Sequence, residues 1–193
     1  MRDVLAVLDD IASQAVAAAR PLELRAARPQ ELEAVFRLRY DAVIAAGWLG
    51  ADTLPDGLER DDYDDVAVHV VALDSERVAG TARIVVADRL PLEEAYDLAL
   101  GRDGRPVELD RVVVSPEYRA AGSPLLFGLL GCGWLEARRR GRTGIAGIVS
   151  APVLGRYESL GLRFDVLGPA RTYWGEERFP VLLDLEATAA LAV

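Results

Sequence analysis

The sequence predicts one mixed α/β domain, in which helices flank a mostly antiparallel central sheet. Three observations support this fold class. Segments with the apolar period of a helix alternate with β-rich runs along the chain. Two of these runs, "VAVHVVAL" and "RVAGTARIVVA", are separated only by "DSE", which suits a hairpin. The length of 193 residues is that of one domain with a substantial core, so residues 1–193 are expected to form a single unit.

Local signals place the elements in order. An apolar stripe at helical spacing predicts an N-terminal helix over residues 1–20, and Pro21 ends it. A second stripe predicts the next helix, and the hairpin follows an acidic loop. Ser123 with Pro124, a capping hydroxyl and then a proline, marks the start of a later helix. The expected order after the first helix is strand 22–27, helix 29–46, loop 50–65, strands 66–73 and 77–87, helix 91–100, strand 107–114, helix 123–140, strand 144–150, helix 151–161, and strands 162–167 and 179–186.

The composition excludes several classes of function. A net charge of −9 argues against non-specific binding to nucleic acid. All 22 basic residues are arginine, so neither a Schiff-base lysine nor a P-loop lysine is present. One histidine and one cysteine argue against a structural zinc site, and we expect neither a metal nor a permanently bound cofactor. Acidic residues interrupt the apolar positions of the N-terminus, which predicts no signal peptide or membrane span and a cytoplasmic location.

The loop after the 107–114 strand carries a motif. "VSPEYRAAG", residues 114–122, resembles the V-x-P-x-x-R-x-x-G segment of the GNAT acyltransferase superfamily. The next signature of that superfamily is a strand, then a helix with a Tyr-Glu-x-x-Gly pattern, and "IVSAPVLGRYESLGLRF" supplies it with Tyr157. The resemblance implies a loop whose backbone N–H groups bind the phosphate of a pantetheine-linked donor. The donor-binding residues expected are Val112, Val114, Arg119, Gly122 and Ser123.

The strand before this loop is unusual because charged residues precede its valines. "ELDR", residues 108–111, is similar to the E-x-x-R pair of acyl-homoserine-lactone synthases and N-acyl amino acid synthases, which are specialised GNAT enzymes. In a flat strand Glu108 and Arg111 would face opposite ways, so a bulge is needed to bring both to one cleft. The resemblance implies that Glu108 receives the proton of an attacking amine, directly or through water. A salt bridge from Glu108 to Arg111 is the structural alternative.

Further matches to these two groups of enzymes lie upstream, in the first long helix, the acidic loop and the hairpin. The matching residues are Arg39, Trp48, Glu59, Asp61, Asp64 and Arg83. The resemblance implies that they bind the acceptor substrate. The carboxylates could hold a cationic amine or instead anchor Arg39 and Arg111. Without the resemblance, an acidic run of this kind is more often a solvated loop.

These matches predict an N-acyltransferase that moves a fatty acyl group from an acyl thioester to the amine of an amino acid or derivative. The resemblance implies direct attack of the amine, with Tyr157 protonating the departing thiolate and the N–H of Val112 binding the thioester oxygen. Three alternatives stay open. They are an acetyl-CoA-dependent GNAT enzyme for a small amine, an acyl-homoserine-lactone synthase, and a catalytically idle GNAT domain that binds acyl ligands or a partner.

Two features concern the identity of the donor. Pro124 stands where members of the superfamily that grip acetyl-CoA usually have glycine or alanine, and it lacks an N–H. A donor on acyl-carrier protein presents one phosphate, so Pro124 favours the carrier protein over acyl-CoA. A basic cluster at the end of the following helix could dock an acidic carrier protein or, equally, complement the helix dipole. It consists of Arg138, Arg139, Arg140 and Arg142.

Overall fold

The computed structural model describes residues 3–101, 106–121 and 123–191. In these residues the strands form one open sheet with helices on both faces, which confirms the predicted fold class. The helices are α1 (Val4–Ala18), α2 (Leu32–Ala45), α3 (Pro91–Tyr96), α4 (Ser123–Arg139), α5 (Ala151–Ser159) and α6 (Leu185–Ala190). The strands are β1 (Glu23–Ala26), β2 (Ala67–Asp74), β3 (Arg77–Val85), β4 (Val107–Val114), β5 (Ile145–Ser150), β6 (Phe164–Val166), β7 (Arg171–Tyr173) and β8 (Glu176–Leu183). Within the described ranges, no helix is both long and apolar enough to cross a membrane.

The sheet runs in the order β1-β2-β3-β4-β5-β8-β6, and β7 pairs with β8 beside this path. Each pair is antiparallel except β4 with β5, which is parallel. That parallel pair is in register only at Val107 with Ile145 and at Glu108 with Ala146. The two central strands therefore diverge after Glu108, and a cleft opens in the middle of the sheet.

A bulge in β4 lies directly beside this cleft. In the ladder with β3, Thr81 pairs with Val113 and Arg83 with Asp110, so two residues of β4 stand opposite one residue of β3. Arg111 is one of the two, and its φ is +48°. A bulge reverses the alternation of side chains, which places Arg111 on the same face as Glu108. The bulge that the E-x-x-R spacing required is thus confirmed.

Helices cover both faces of the sheet. Val70 and Ala72 of β2 belong to the core formed with α1 and α4, whereas Val71 packs with Val35 of α2 on the opposite face. The contact between α1 and α4 is close, because a Cβ atom on Gly131 would lie 2.7 Å from the carbonyl oxygen of Ala12. Glycine is therefore required at that point of the interface, and α1 is an integral wall of the core.

The structure differs from the sequence prediction near the C-terminus. The strand expected at 179–186 instead spans Glu176–Leu183. The next residue, Asp184, accepts a hydrogen bond from the N–H of Ala187 at 2.9 Å and so starts α6, which was not predicted.

The strand β7 was also not predicted. It forms a hairpin with β8 through Trp174 and Gly175, whose φ angles are +53° and +73°. Two-residue loops with positive φ at both positions fit the twist of paired strands, but they usually carry Asn and Gly. Because a tryptophan occupies the first loop position, the sequence did not predict this turn.

Candidate active site

A cavity of about 680 Å³ begins where β4 and β5 diverge. One part is charged and aromatic, and it lies on the face of the sheet that carries α2 and α3. The other part is apolar and extends between α1 and α4, with Leu8, Ile11, Leu126 and Leu130 in its walls. The cavity therefore joins a polar compartment to a hydrophobic one through the centre of the sheet.

Glu108 lies at this junction and is 1% exposed. One of its carboxylate oxygens accepts the N–H of Leu92 at 2.7 Å. Burial, together with the negative charge of Asp110, raises the pKa of Glu108 to about 8. The carboxyl can consequently exchange a proton near neutral pH. The predicted alternative, a salt bridge with Arg111, is not formed, because Arg111 binds other carboxylates.

Three arginines and four carboxylates build what we call the ion-pair network. Its members are Arg39, Arg83, Arg111, Glu59, Asp61, Asp64 and Asp110. Arg111 donates from Nε to Glu59 at 3.1 Å and from Nη2 to Asp61 at 2.9 Å. The carboxylates exceed the guanidinium groups by one, which disfavours a further negative charge on the adjacent Glu108.

The core of the network is fully enclosed. Arg83 is 0% exposed and donates to Asp110 at 2.7 Å and to Asp64 at 2.9 Å, besides its pair with Asp61. Arg39 donates to Asp64 at 2.7 Å and also contacts Glu59. Although burial alone would raise the pKa of Asp64, its ion pairs with Arg39 and Arg83 lower that pKa to about 2.

The network changes the roles expected for the six upstream residues. Arg39, Glu59 and Trp48 line the cavity. Asp61, Asp64 and Arg83 do not line it, and instead hold Arg39 and Arg111 in place. Of the two roles predicted for the carboxylates, the geometry thus favours the anchoring of arginines over direct contact with an acceptor amine.

Trp48 belongs to an aromatic cluster that closes the polar compartment. Its indole Nε1 donates to Glu176 at 2.9 Å, and its ring lies 6.0 Å from that of Trp174. Trp174 in turn covers the guanidinium group of Arg111 at 4.3 Å, and Arg178 stacks on Trp48 at 4.4 Å. The cluster brings the β7–β8 hairpin into the site.

Sequence reasoning missed the hairpin residues of this cluster. Tyr173, Trp174, Glu176 and Arg178 all line the cavity. A signal was present in "YWGEERF", where a tryptophan and a glycine separate two short polar and aromatic runs. Once a two-residue loop is allowed at this point, the flanking residues become candidates for the site.

The residues predicted to bind the donor lie on the opposite side of the cleft from the hairpin. Val112, Val114 and Arg119 line the cavity. Gly122 lies outside the described residues, and Ser123 begins α4 as expected. Tyr157 on α5 is half-buried, lines the cavity and contacts Phe164 at 5.9 Å between ring centroids. Burial raises the pKa of the Tyr157 hydroxyl, so it stays protonated at neutral pH.

The basic cluster at the end of α4 is largely paired within the chain. Arg138 binds Asp9 of α1 at 3.0 Å, and Arg139 and Arg140 bind Glu136. These contacts tie α4 to α1 and compensate the charge of Glu136. Since α4 has 17 residues, the cluster lies about 25 Å along the helix from the donor loop.

Comparison with known proteins places this chain in a family. The sequence model of the N-acyl amino acid synthase FeeM matches residues 34–186. Comparison with curated protein sequences gives no significant match. Helix α1 precedes the matched region, although it lines the cavity.

Solved structures with the same fold include three acyltransferases. The CoA-dependent acyl-homoserine lactone synthase BjaI, solved with SAM and isopentyl-CoA, has a TM-score of 0.73 and 23% identity over 88% of this chain and 87% of its own. FeeM, an N-acyl amino acid synthase from uncultured soil microbes, has a TM-score of 0.62 and 15% identity over 86% and 92%. An acyl-CoA N-acyltransferase from Pseudomonas aeruginosa has a TM-score of 0.59 and 18% identity over 83% and 98%.

The structural likenesses show a shared GNAT-like fold, and the sequence match covers well over half of the chain. The match to the family model confirms the predicted N-acyltransferase activity, and the structural likenesses confirm the predicted fold. This chain belongs to the FeeM family of N-acyl amino acid synthases.

Proposed function

We propose that this protein moves a fatty acyl group from a pantetheine thioester to the α-amine of an amino acid, within a ternary complex. The position of Glu108 carries the proposal. It is a buried carboxyl with a raised pKa, and it lies where the charged and apolar parts of one cavity meet. Membership in a family of N-acyl amino acid synthases supports an amino acid as the acceptor.

The reaction follows from the groups around the cleft. The neutral amine attacks the thioester carbonyl carbon, and Glu108 accepts the proton that the nitrogen loses. The bulge takes Arg111 and Val112 out of register with β3, and the N–H of Val112 is proposed to bind the developing oxyanion. As the carbon–sulfur bond breaks, Tyr157 protonates the thiolate; Tyr157 then regains a proton from solvent, and Glu108 releases the one it accepted. The products are an amide and a free thiol.

The apolar part of the cavity supports a fatty acyl group over an acetyl group. It extends from the cleft between α1 and α4 and is lined by aliphatic and aromatic side chains. An acetyl group would reach only the junction beside Glu108. A longer chain would fill the hydrophobic compartment and gain free energy in proportion to the apolar area it buries.

The donor is proposed as the pantetheine thioester that acyl-carrier protein and acyl-CoA share. Arg138, Arg139 and Arg140 are ion-paired within the chain and distant from the donor loop, which favours a structural role for them over carrier docking. The preference for a carrier-protein donor therefore rests on Pro124, which is exposed in the first turn of α4 and offers no N–H.

A thiol-release assay tests the proposal. Purified protein is mixed with dodecanoyl-carrier protein, dodecanoyl-CoA or acetyl-CoA, each with pooled amino acids or with S-adenosylmethionine, and products are identified by mass spectrometry. We expect thiol release from a dodecanoyl donor with amino acids, and an N-dodecanoyl amino acid as product. If the missing N–H at Pro124 favours a carrier-protein donor, dodecanoyl-carrier protein should have a higher kcat/KM than dodecanoyl-CoA.

Each other outcome contradicts a specific part of the proposal. If acetyl-CoA is the only one of the three donors that releases thiol, the protein is a small-amine acetyltransferase. Product formed only with S-adenosylmethionine would indicate an acyl-homoserine lactone synthase. Absence of thiol release from all three donors would indicate an idle domain.

A further inference from the structure

Arg178 presents an incompletely paired guanidinium group to the cavity. Its side chain is 13% exposed, lines the polar compartment and stacks on Trp48 at 4.4 Å. Within the described part of the chain, its Nε atom is buried and has no hydrogen-bond partner. Its ion pair is a long one, from Nη2 to Glu176 at 3.3 Å. The guanidinium group therefore has hydrogen-bonding capacity left for a ligand in the cavity that it lines.

The register of the sheet places Arg178 on the same face as Glu108. Glu108 is level with Ala146 of β5, and Ala146 is level with Leu182 of β8. Arg178 is four residues from Leu182, and side chains repeat their face every two residues. The two side chains thus approach one compartment from the same face, with Arg178 about 13 Å further along β8.

A planar guanidinium group fits a carboxylate well, because two parallel N–H donors match its two oxygens. The Arg178 guanidinium group lies over the ring of Trp48, and its ion pair with Glu176 is long, at 3.3 Å. Glu176 competes only in part, since its other oxygen accepts the indole N–H of Trp48.

We propose that Arg178 binds the carboxylate of the acceptor. The proposal rests on the function proposed above and narrows its acceptor to amines that carry a free carboxylate. Bound in this way, the acceptor is held in the compartment that also contains Glu108, with its amine on the side toward Glu108. Amino acid amides, amino acid esters and simple alkylamines would lack this contact.

A binding experiment that needs no turnover tests the inference. The probes are N-dodecanoyl-L-phenylalanine and its carboxamide, which are product-like and differ only in the carboxylate. The phenyl group suits the aromatic surface of Trp48, Tyr173 and Trp174. By isothermal titration calorimetry, the wild type should bind the acid about 10- to 100-fold more tightly than the carboxamide. Arg178→Gln should abolish that preference and leave carboxamide binding unchanged within twofold.

Two further variants sharpen the result. Arg171→Gln is a matched control, because Arg171 stands opposite Arg178 in the β7–β8 ladder and does not line the cavity. It should keep the preference for the acid. Glu176→Gln removes the competing charge and should strengthen binding of the acid, with the carboxamide unaffected. This second variant also decides the matter if Arg178→Gln does not fold.

The inference is overturned if the wild type binds the acid and the carboxamide equally or binds neither. It is also overturned if Arg178→Gln weakens both probes alike, which would indicate a structural role, or if Glu176→Gln leaves acid binding unchanged. A selective effect on the acid supports the site even if the thiol-release assay shows no turnover, so the two proposals fail separately.

Discussion

Replacing Glu108 with glutamine removes the proposed base but keeps an oxygen that can accept the N–H of Leu92. The fold should therefore survive. General base catalysis typically contributes about 100- to 10,000-fold, so kcat should fall by an amount in that range. Below pH 8, kcat/KM of the wild type should rise with pH as the carboxyl loses its proton. The ratio of wild type to variant should show this rise, since ionisation of the amine substrate affects both proteins equally.

The stability of the wild type should fall as pH rises, whereas its kcat/KM rises. The pKa of Glu108 is raised from an ordinary value of 4.5 to about 8, so between these values the folded protein binds one proton more than the unfolded chain. The wild type is consequently destabilised as pH rises, by about 1.4 kcal/mol per pH unit from this group. Glutamine does not titrate. The stability advantage of Glu108→Gln should thus grow by on the order of 4 kcal/mol between pH 5 and pH 8.

Urea unfolding at several pH values and the thiol-release assay measure the two effects. A difference in unfolding free energy that stays constant with pH would show that the pKa of Glu108 is not raised. Near-normal turnover of the variant across the pH range would refute its role as the base.

Two further substitutions test the network and the leaving group. Arg83→Met should lower the free energy of unfolding by about 3–5 kcal/mol, because it leaves carboxylates around a fully buried site unpaired. Arg60→Met, which breaks an exposed pair, should cost less than about 1 kcal/mol in the same urea titration, and an equal loss from both would contradict the structural argument. Tyr157→Phe should reduce kcat by about 10- to 100-fold with little change in KM, since only protonation of the thiolate is lost. Tyr118→Phe, whose hydroxyl binds Asp74 outside the cavity, is the control, and unchanged kcat in Tyr157→Phe would exclude that role.

The sequence determined those features that depend on neighbouring residues. Alternation of helical and β-rich segments predicted the fold class, and "DSE" predicted the antiparallel hairpin of β2 and β3. The spacing of Glu108 and Arg111 predicted a bulge, because two side chains at odd separation reach one cleft only if the strand is irregular. These signals are local, so they can be recognised without knowing which strands lie together.

Only the tertiary structure decided the partners of the charged residues. Arg111 could have paired with Glu108 by sequence, but the fold brings Glu59 and Asp61 to it from a loop about fifty residues away. Because Arg111 binds these other carboxylates, Glu108 is buried without an ion-pair partner, and its pKa is raised to about 8. The partner of a charge depends on strand register and on the path of loops, and neither is encoded in local periodicity.

The hairpin of β7 and β8 shows the same limit. Trp174 takes a positive φ that few non-glycine residues adopt, so the residue types in this segment did not predict a turn. Its stacking on Arg111 exists only in the assembled fold. The placement of Arg178 on the face of Glu108 likewise follows from the register of three strands, each set by contacts distant in the chain. The sequence by itself therefore predicted most of the elements and the candidate base, whereas long-range pairing determined which side chains surround Glu108, because such pairing is a property of the packed sheet.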